Sequence, residues 1–125
     1  MAKLYVLGGR ERRPGLKEPS TNEVWALYEA ALIFEIDTDT ATVRTCVEYT
    51  SPREARAGDK PSAQFHSGAV IDHTLYTCTR TEILIFQLPE FTRIGYISLP
   101  CFNDLHHVTR SSDGNLLTVS TGLDM

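Results

Sequence analysis

The sequence predicts an all-β fold built from four-stranded antiparallel meanders, and three observations lead to this prediction. Short runs rich in β-branched and aromatic residues recur along the chain, separated by turn signals such as Asp72-His73 and Asp113-Gly114. Four such runs follow one another between Phe65 and Pro100. Finally, Leu32–Ile36 is similar to Leu84–Leu88, which lies 52 residues further on, and this indicates a repeated structural unit.

Composition limits the class of protein. A chain of 125 residues with 42% hydrophobic and 22% charged residues is typical of one soluble globular domain. The net charge of −4 argues against a nucleic-acid partner, which would require a clustered basic face. No apolar run approaches the roughly 18 residues that span a bilayer, and the N-terminus does not resemble a secretory signal, so we expect no membrane partner. The three cysteines have no zinc-like spacing and are expected to be buried reduced thiols, which indicates a cytoplasmic location: Cys46, Cys78 and Cys101.

Residues 1–50 predict an incomplete first unit. Lys3 to Leu7 is a predicted strand that ends at Gly8-Gly9, and residues 9–23 are a predicted loop insert. Basic side chains within Arg10–Pro19 could contact an anionic ligand, but a solvated mobile loop is the simpler interpretation.

The segment from Ser20 to Ile36 is ambiguous. A capping box and good helix formers favour a helix, whereas the match between Leu32–Ile36 and the later unit favours a strand. We predict strands at Leu32–Ile36 and Thr42–Tyr49, because a repeat reflects a unit that must pack against its neighbours. One or two helical turns between Glu23 and Ala30 remain compatible with this prediction.

The remaining chain predicts one complete unit and half of another. Residues 51–64 are polar and contain two prolines, so they are a predicted flexible connecting loop. Residues 65–100 form the complete four-stranded meander, with turns at Asp72-His73 and Pro89-Glu90-Phe91. Residues 101–125 begin the pattern again: Leu105–Arg110 is a strand, an Asp-Gly hairpin turn follows, and Asn115–Thr121 is its partner.

Four strands in about 36 residues is the size of one β-propeller blade. In His66–Leu99 and Leu105–Asp124 the chain resembles β-propeller repeat proteins of the NHL-like, six-bladed type. The resemblance implies a partial propeller of about two and a half blades, whereas a closed ring has at least four. Because the repeat is interrupted at Gly122–Met125, we expect further propeller sequence to complete the ring. That sequence would come from identical copies, from a second polypeptide or from the missing part of a truncated chain.

Three histidines fall at the starts of predicted first strands: His66, His106 and His107. The first strand of a propeller blade lines the axial channel, so the resemblance implies that His66 and His106 face each other. Converging imidazoles suit a divalent transition metal, and Asn103 and Asp104 are candidate supports for those ligands. In a regular strand His107 would point away from His106. The alternative is that these histidines are hydrogen-bonded channel residues without a metal.

Two functional hypotheses follow from these residues. In the first, the chain contributes histidines to an axial site for a metal or small ligand, and a metal-activated water or a polarised substrate oxygen acts on a small molecule. In the second, the chain is a non-catalytic scaffold for protein interaction, recognised through the loops Arg10–Pro19 and Pro52–Gln64. Cys101 and His106 form a conceivable catalytic pair, but nothing in the sequence indicates an activated thiol. His73 is expected to be exposed in its turn.

Overall fold

The described part of the chain folds as antiparallel β-sheets, which confirms the all-β prediction. The computed structural model describes residues 2–11, 28–56 and 63–122. Within these residues there are three sheets and one turn of 3-10 helix, Arg53–Ala55, and no helix is long and apolar enough to cross a membrane. The chain divides into two compact units, Met1–Gln64 and Phe65–Met125.

The first unit contains a three-stranded meander. Strands β1 (Lys3–Glu11), β2 (Tyr28–Asp37) and β3 (Thr42–Tyr49) pair in that order, each antiparallel to the next. The predicted strands at residues 32–36 and 42–49 are therefore confirmed. Helix propensity is overridden in β2 because the strand has a pairing partner on each side, which satisfies its backbone on both edges. Residues 28–30 also belong to β2, and the rest of the helical alternative lies outside the described residues.

Strand β1 is longer than the sequence predicted. It continues through Gly8 and Gly9, and Arg10 pairs with Ala30. The predicted loop is therefore wrong for residues 9–11, while residues 12–23 lie outside the described ranges. Gly9 permits a close approach: a Cβ atom there would lie 2.8 Å from Cδ1 of Tyr28 and 2.7 Å from Cβ of Gln64. This glycine makes room for its neighbours and does not end the strand.

The connection after β3 is partly packed, in contrast to the flexible loop predicted for residues 51–64. Ser51 and Ala55 are buried on either side of the short 3-10 turn, and Ala63 is buried just before the second unit. The Arg56 side chain donates a hydrogen bond to the Ser51 carbonyl at 3.0 Å. Residues 57–62 lie outside the described ranges.

The second unit contains the predicted four-stranded meander followed by a hairpin. Its strands are β4 (Ser67–Ile71), β5 (Thr74–Cys78), β6 (Ile83–Gln87), β7 (Thr92–Ile97), β8 (Leu105–Arg110) and β9 (Leu116–Ser120). The first four pair in sequence order, and β8 pairs with β9. Asp72 and His73 join β4 to β5 with φ values of 50° and 62°, which are typical of a two-residue type I′ turn.

Strand β8 packs its apolar side chains against the four-stranded sheet. Leu105 and Val108 are fully buried and share a core with Tyr76, Cys78 and Ile83. Regular alternation would place two residues three positions apart on opposite faces of a strand. A β-bulge between Leu105 and His107 adds one residue, so both apolar side chains point into the core. His106 is the residue that the bulge leaves out of the pairing register.

The two meanders share one irregularity. The register of β2 against β3 shifts between Ile33 and Phe34, and the register of β6 against β7 shifts between Ile85 and Phe86. These two positions are 52 residues apart, which is the spacing of the sequence repeat. Bulges are specific features of a strand pair, so their coincidence indicates a common strand geometry.

Candidate metal centre

Three potential ligands lie at the start of the first strands in the second unit. His66 immediately precedes β4, Asp104 immediately precedes β8, and His106 occupies the bulge. Two backbone hydrogen bonds position them: His66 N–H donates to the Cys78 carbonyl, and Leu105 N–H donates to the Arg80 carbonyl, both at 2.9 Å. The ends of β4, β5 and β8 are thereby held beside one another.

The side chains of these residues converge. One potential ligand atom from each of His66, Asp104 and His106 lies within 4.8 Å of the other two. The imidazole centroids are 6.0 Å apart with an interplanar angle of 73°, and Nε2 of His106 is 3.3 Å from Oδ2 of Asp104. Asp104 has a φ of 63°, a left-handed conformation that aspartate adopts more readily than most residues. The structure therefore brings together the two histidines that the sequence paired.

Thr121 closes one side of this cluster. Its hydroxyl is hydrogen-bonded to Nε2 of His106, and its backbone N–H donates to the Asp104 carbonyl at 3.2 Å. The end of β9 is thus attached to the segment that carries two of the three candidate ligands. A side chain hydrogen-bonded to an imidazole restricts the ring orientation.

Electrostatics favour a neutral imidazole at His66. Burial lowers the pKa of this half-buried side chain, and the Asp104 carboxylate opposes the effect in part. Electrostatic interactions with His106 and Arg80 lower the pKa of His66 further. The neutral form has a free lone pair, and this is the form that binds a metal.

The residue types fit a divalent transition metal. Two imidazoles and one carboxylate are a ligand set that zinc and non-haem iron both use, with positions left for water or substrate. Atoms bonded to one ion at about 2.0–2.2 Å lie no more than about 4.4 Å apart. The three candidate ligand atoms lie within 4.8 Å of one another, which is close to this limit.

The other predicted site residues have the following positions. His107 is outside the three-residue cluster, and its Nδ1 is 2.8 Å from the Ser67 hydroxyl. Asn103, which was expected to support the imidazoles, forms main-chain hydrogen bonds with Ser120 and Gly122. Asp104, expected in the same supporting role, places its carboxylate among the imidazoles. His73 is exposed, as expected.

The cysteines do not join the cluster. Cys78 is buried in β5, and burial raises the pKa of its thiol to about 11, so it stays protonated at neutral pH. Cys46 and Cys101 are partly exposed, so burial of all three thiols was predicted correctly only for Cys78. All three are free thiols.

Sequence reasoning missed Thr121 and Arg80. The position of Thr121 near the start of β8 could have been predicted by counting residue pairs outward from the Asp113-Gly114 hairpin turn. The bulge then shifts its partner by one residue, to Asp104. Arg80 lies two residues after the end of β5, and its carbonyl accepts the Leu105 N–H, which places its backbone beside Asp104 and His106.

No protein-family model matches the chain, and neither the curated proteins nor the solved structures include a match to it. The class of site therefore rests on the geometry of these residues alone.

Proposed function

We propose that the chain is a segment of a β-propeller and that His66, Asp104 and His106 bind a divalent transition metal. The observation that carries the metal assignment is the convergence of two imidazoles and a carboxylate from the starts of two different strands. All three groups offer lone pairs, and a cation is the partner that all three can share.

Two features support the propeller. Residues 40 positions apart contact each other twice where β4 and β8 begin: His66 meets His106, and Ser67 meets His107. Contacts between equivalent positions are expected where the innermost strands of successive blades line a common axis. The bulges 52 residues apart in the two meanders also indicate a repeated unit.

A metal held by three protein ligands has positions for water or for an oxygen atom of a small substrate. When bound, the ion would supply Lewis acidity, which lowers the pKa of a bound water or polarises a substrate oxygen. The protein's own contributions would be a neutral His66 and an Asp104 carboxylate that offsets part of the metal charge. Metal-dependent chemistry on a small molecule is the activity that this arrangement supports best.

Exposed apolar side chains support a partner that adds further propeller sequence. On one face of the first sheet, Leu4, Val6 and Val43 are 51%, 40% and 63% exposed. On β9, Leu117 and Val119 alternate along the strand and are 64% and 51% exposed. Flat apolar sheet faces of this kind are normally covered by another sheet. The same faces support the second candidate function, a non-catalytic interaction scaffold.

Metal analysis of the purified chain tests the metal assignment. We expect one equivalent of zinc, iron, manganese or copper, and we expect His66→Ala to reduce bound metal. His73→Ala is the matched control because His73 is an exposed histidine in the same unit. A chain that binds no metal after incubation with these ions, or equal losses in both variants, would overturn the assignment and favour the scaffold.

Light scattering tests the partner. We expect self-association, or a requirement for additional propeller sequence before the chain unfolds cooperatively. A compact, cooperatively unfolding monomer of 14.0 kDa would contradict the proposal.

A further inference from the structure

The hydroxyl of Thr121 lies against the imidazole nitrogen that faces the Asp104 carboxylate. Nε2 of His106 is 3.3 Å from Oδ2 of Asp104, and the same Nε2 is hydrogen-bonded to the Thr121 hydroxyl. Two atoms bonded to one zinc ion at about 2.1 Å, with a tetrahedral angle between them, lie about 3.4 Å apart. The separation of Nε2 and Oδ2 therefore suits a shared ion, and the Thr121 hydroxyl is beside the same position.

The backbone of Thr121 is anchored independently of its side chain. Its N–H donates to the Asp104 carbonyl at 3.2 Å, and the next N–H, of Gly122, donates to the Asn103 carbonyl, also at 3.2 Å. The end of β9 is thus tied by two main-chain hydrogen bonds to the segment that carries Asp104 and His106. These bonds would keep the hydroxyl beside the cluster when its own bond to the imidazole is lost.

One imidazole nitrogen cannot serve the hydroxyl and a metal at once. A neutral imidazole nitrogen carries either one lone pair or one N–H, so a metal bound to Nε2 of His106 would displace the Thr121 hydroxyl. An atom within hydrogen-bond distance of Nε2 lies within about 5 Å of an ion bonded to that nitrogen. An oxygen in an open metal position is then a new partner within reach of the hydroxyl.

We infer that Thr121 is a positioning residue whose hydroxyl, in the metal-loaded protein, donates a hydrogen bond to the oxygen ligand in the open metal position. This inference rests on the proposed metal binding. A donated hydrogen bond favours the anionic form of that oxygen, such as the hydroxide formed from a metal-bound water. Thr121 would thus have two exclusive partners, which are His106 in the metal-free protein and the metal-bound oxygen in the loaded protein.

Cobalt supplies the measurement, because the visible absorption of bound Co²⁺ changes when a metal-bound water loses its proton. The full chain is loaded with Co²⁺, and its spectrum is recorded as a function of pH. Thr121→Val removes the hydroxyl and keeps the shape of the side chain. We expect this variant to move the spectral transition to higher pH by about one unit, which corresponds to about tenfold less hydroxide at a given pH.

Two further variants separate the hydroxyl from the packing of β9. Thr121→Ser keeps a hydroxyl and should restore the wild-type transition. Thr118→Val is the matched control, because Thr118 lies on β9 and its hydroxyl donates to the His107 carbonyl at 2.8 Å. This control should leave the transition unchanged. The Co²⁺ affinity of Thr121→Val should differ by less than about tenfold from that of the wild type, since the lost competition for His106 and the lost bond to the oxygen ligand oppose each other.

Failure of this inference differs from failure of the proposed function. If Co²⁺ binds in a His66-dependent manner but the wild type shows no transition, or Thr121→Val shows the same one, the inference is overturned and the metal site stands. A transition moved as far by Thr121→Ser or by Thr118→Val would also overturn it. If Co²⁺ does not bind the wild type, both are overturned. Should Thr121→Val fail to fold, Thr121→Ala, which also lacks the hydroxyl, decides by the same transition.

Discussion

Two polar clusters lie at opposite ends of β8, and they differ in how their charges are matched. At the C-terminal end, Nη2 of Arg110 is 2.6 Å from Oδ2 of Asp72, and Nη1 is 3.2 Å from the Tyr76 hydroxyl. Each group in this cluster has a complementary partner. At the N-terminal end, His66, Asp104 and His106 bring three lone-pair donors together.

The difference distinguishes a cluster of matched charges from the proposed metal site. In the Arg110 cluster every charge has a partner: the guanidinium forms an ion pair with Asp72 and lies over the Tyr76 ring. In the histidine cluster His106 is hydrogen-bonded to Thr121 and lies 3.3 Å from the Asp104 carboxylate, and the three lone-pair groups together match the proposed cation. Between them, the buried Leu105 and Val108 hold β8 against the sheet, so both clusters depend on the same apolar packing.

The largest expected effect comes from breaking that shared packing. Leu105→Ala should lower the free energy of unfolding by about 2–5 kcal/mol, because it removes fully buried apolar volume and leaves a cavity. Urea denaturation followed by circular dichroism measures the change. Leu117→Ala is the control, because Leu117 is 64% exposed and should change stability by about 0.5 kcal/mol or less. Equal losses in the two variants would contradict the packing described for β8.

The next effect separates the two ends of the strand. His106→Ala should weaken Zn²⁺ binding at least about 100-fold, since even a residue supporting a ligand contributes 10–100-fold. Isothermal titration calorimetry measures the affinity. Arg110→Met, at the other end of β8, should leave Zn²⁺ affinity unchanged. If Arg110→Met weakened binding as much as His106→Ala, the contrast between a complete cluster and an open one would be lost.

A smaller effect is expected from the complete cluster. Arg110→Met should lower the free energy of unfolding only slightly, because the Asp72 side chain is 81% exposed and solvent screens the pair. The loss should shrink in 1 M NaCl. Asp72→Asn provides a double-mutant cycle with Arg110→Met, and the two changes should be non-additive. A loss as large as that caused by Leu105→Ala would contradict the expectation that solvent screens this ion pair.

The smallest effect concerns pH. The folded-state pKa of His66 is lowered from its ordinary value of 6.5, chiefly by burial. Between the folded and unfolded pKa values the unfolded chain binds more protons, so the free energy of unfolding should fall as pH drops below about 6.5. His66→Gln should reduce this slope in metal-free protein, while His73→Gln should not. If the free energy of unfolding changed with pH equally in both variants, His66 would not contribute to the pH dependence of stability.

Local turn chemistry made much of the second unit predictable. Asp72-His73 and Asp113-Gly114 are short-range hairpin signals, and Gly114 does adopt a positive φ of 90°. The strand at residues 32–36 could be predicted only from the sequence repeat, because the neighbouring residues favour a helix. The extension of β1 was missed because Gly9 serves a close packing contact, and sequence alone does not distinguish this use of glycine from a strand end.

The candidate site was predictable in part. The equivalent positions of His66 and His106 in the repeat predicted that their side chains lie close together. The position of the Asp104 carboxylate and the hydrogen bond from Thr121 to His106 depend on the bulge in β8. The pattern Leu105-His106-His107-Val108 carries a signal for that bulge, because two polar residues between two apolar ones break the alternation of a regular strand. Arg80 depends on tertiary contacts, which no local pattern encodes.

The three candidate ligands lie outside the regular strand pairing. His106 is left out of the pairing register, while His66 and Asp104 each stand one residue outside a strand. None of the three side chains belongs to the apolar cluster that secures β8. Substitutions at these positions therefore spare the cross-strand pairs and the core. In the proposed metal site, single replacements could therefore change the ligands, and with them the metal preference, while keeping the same sheets.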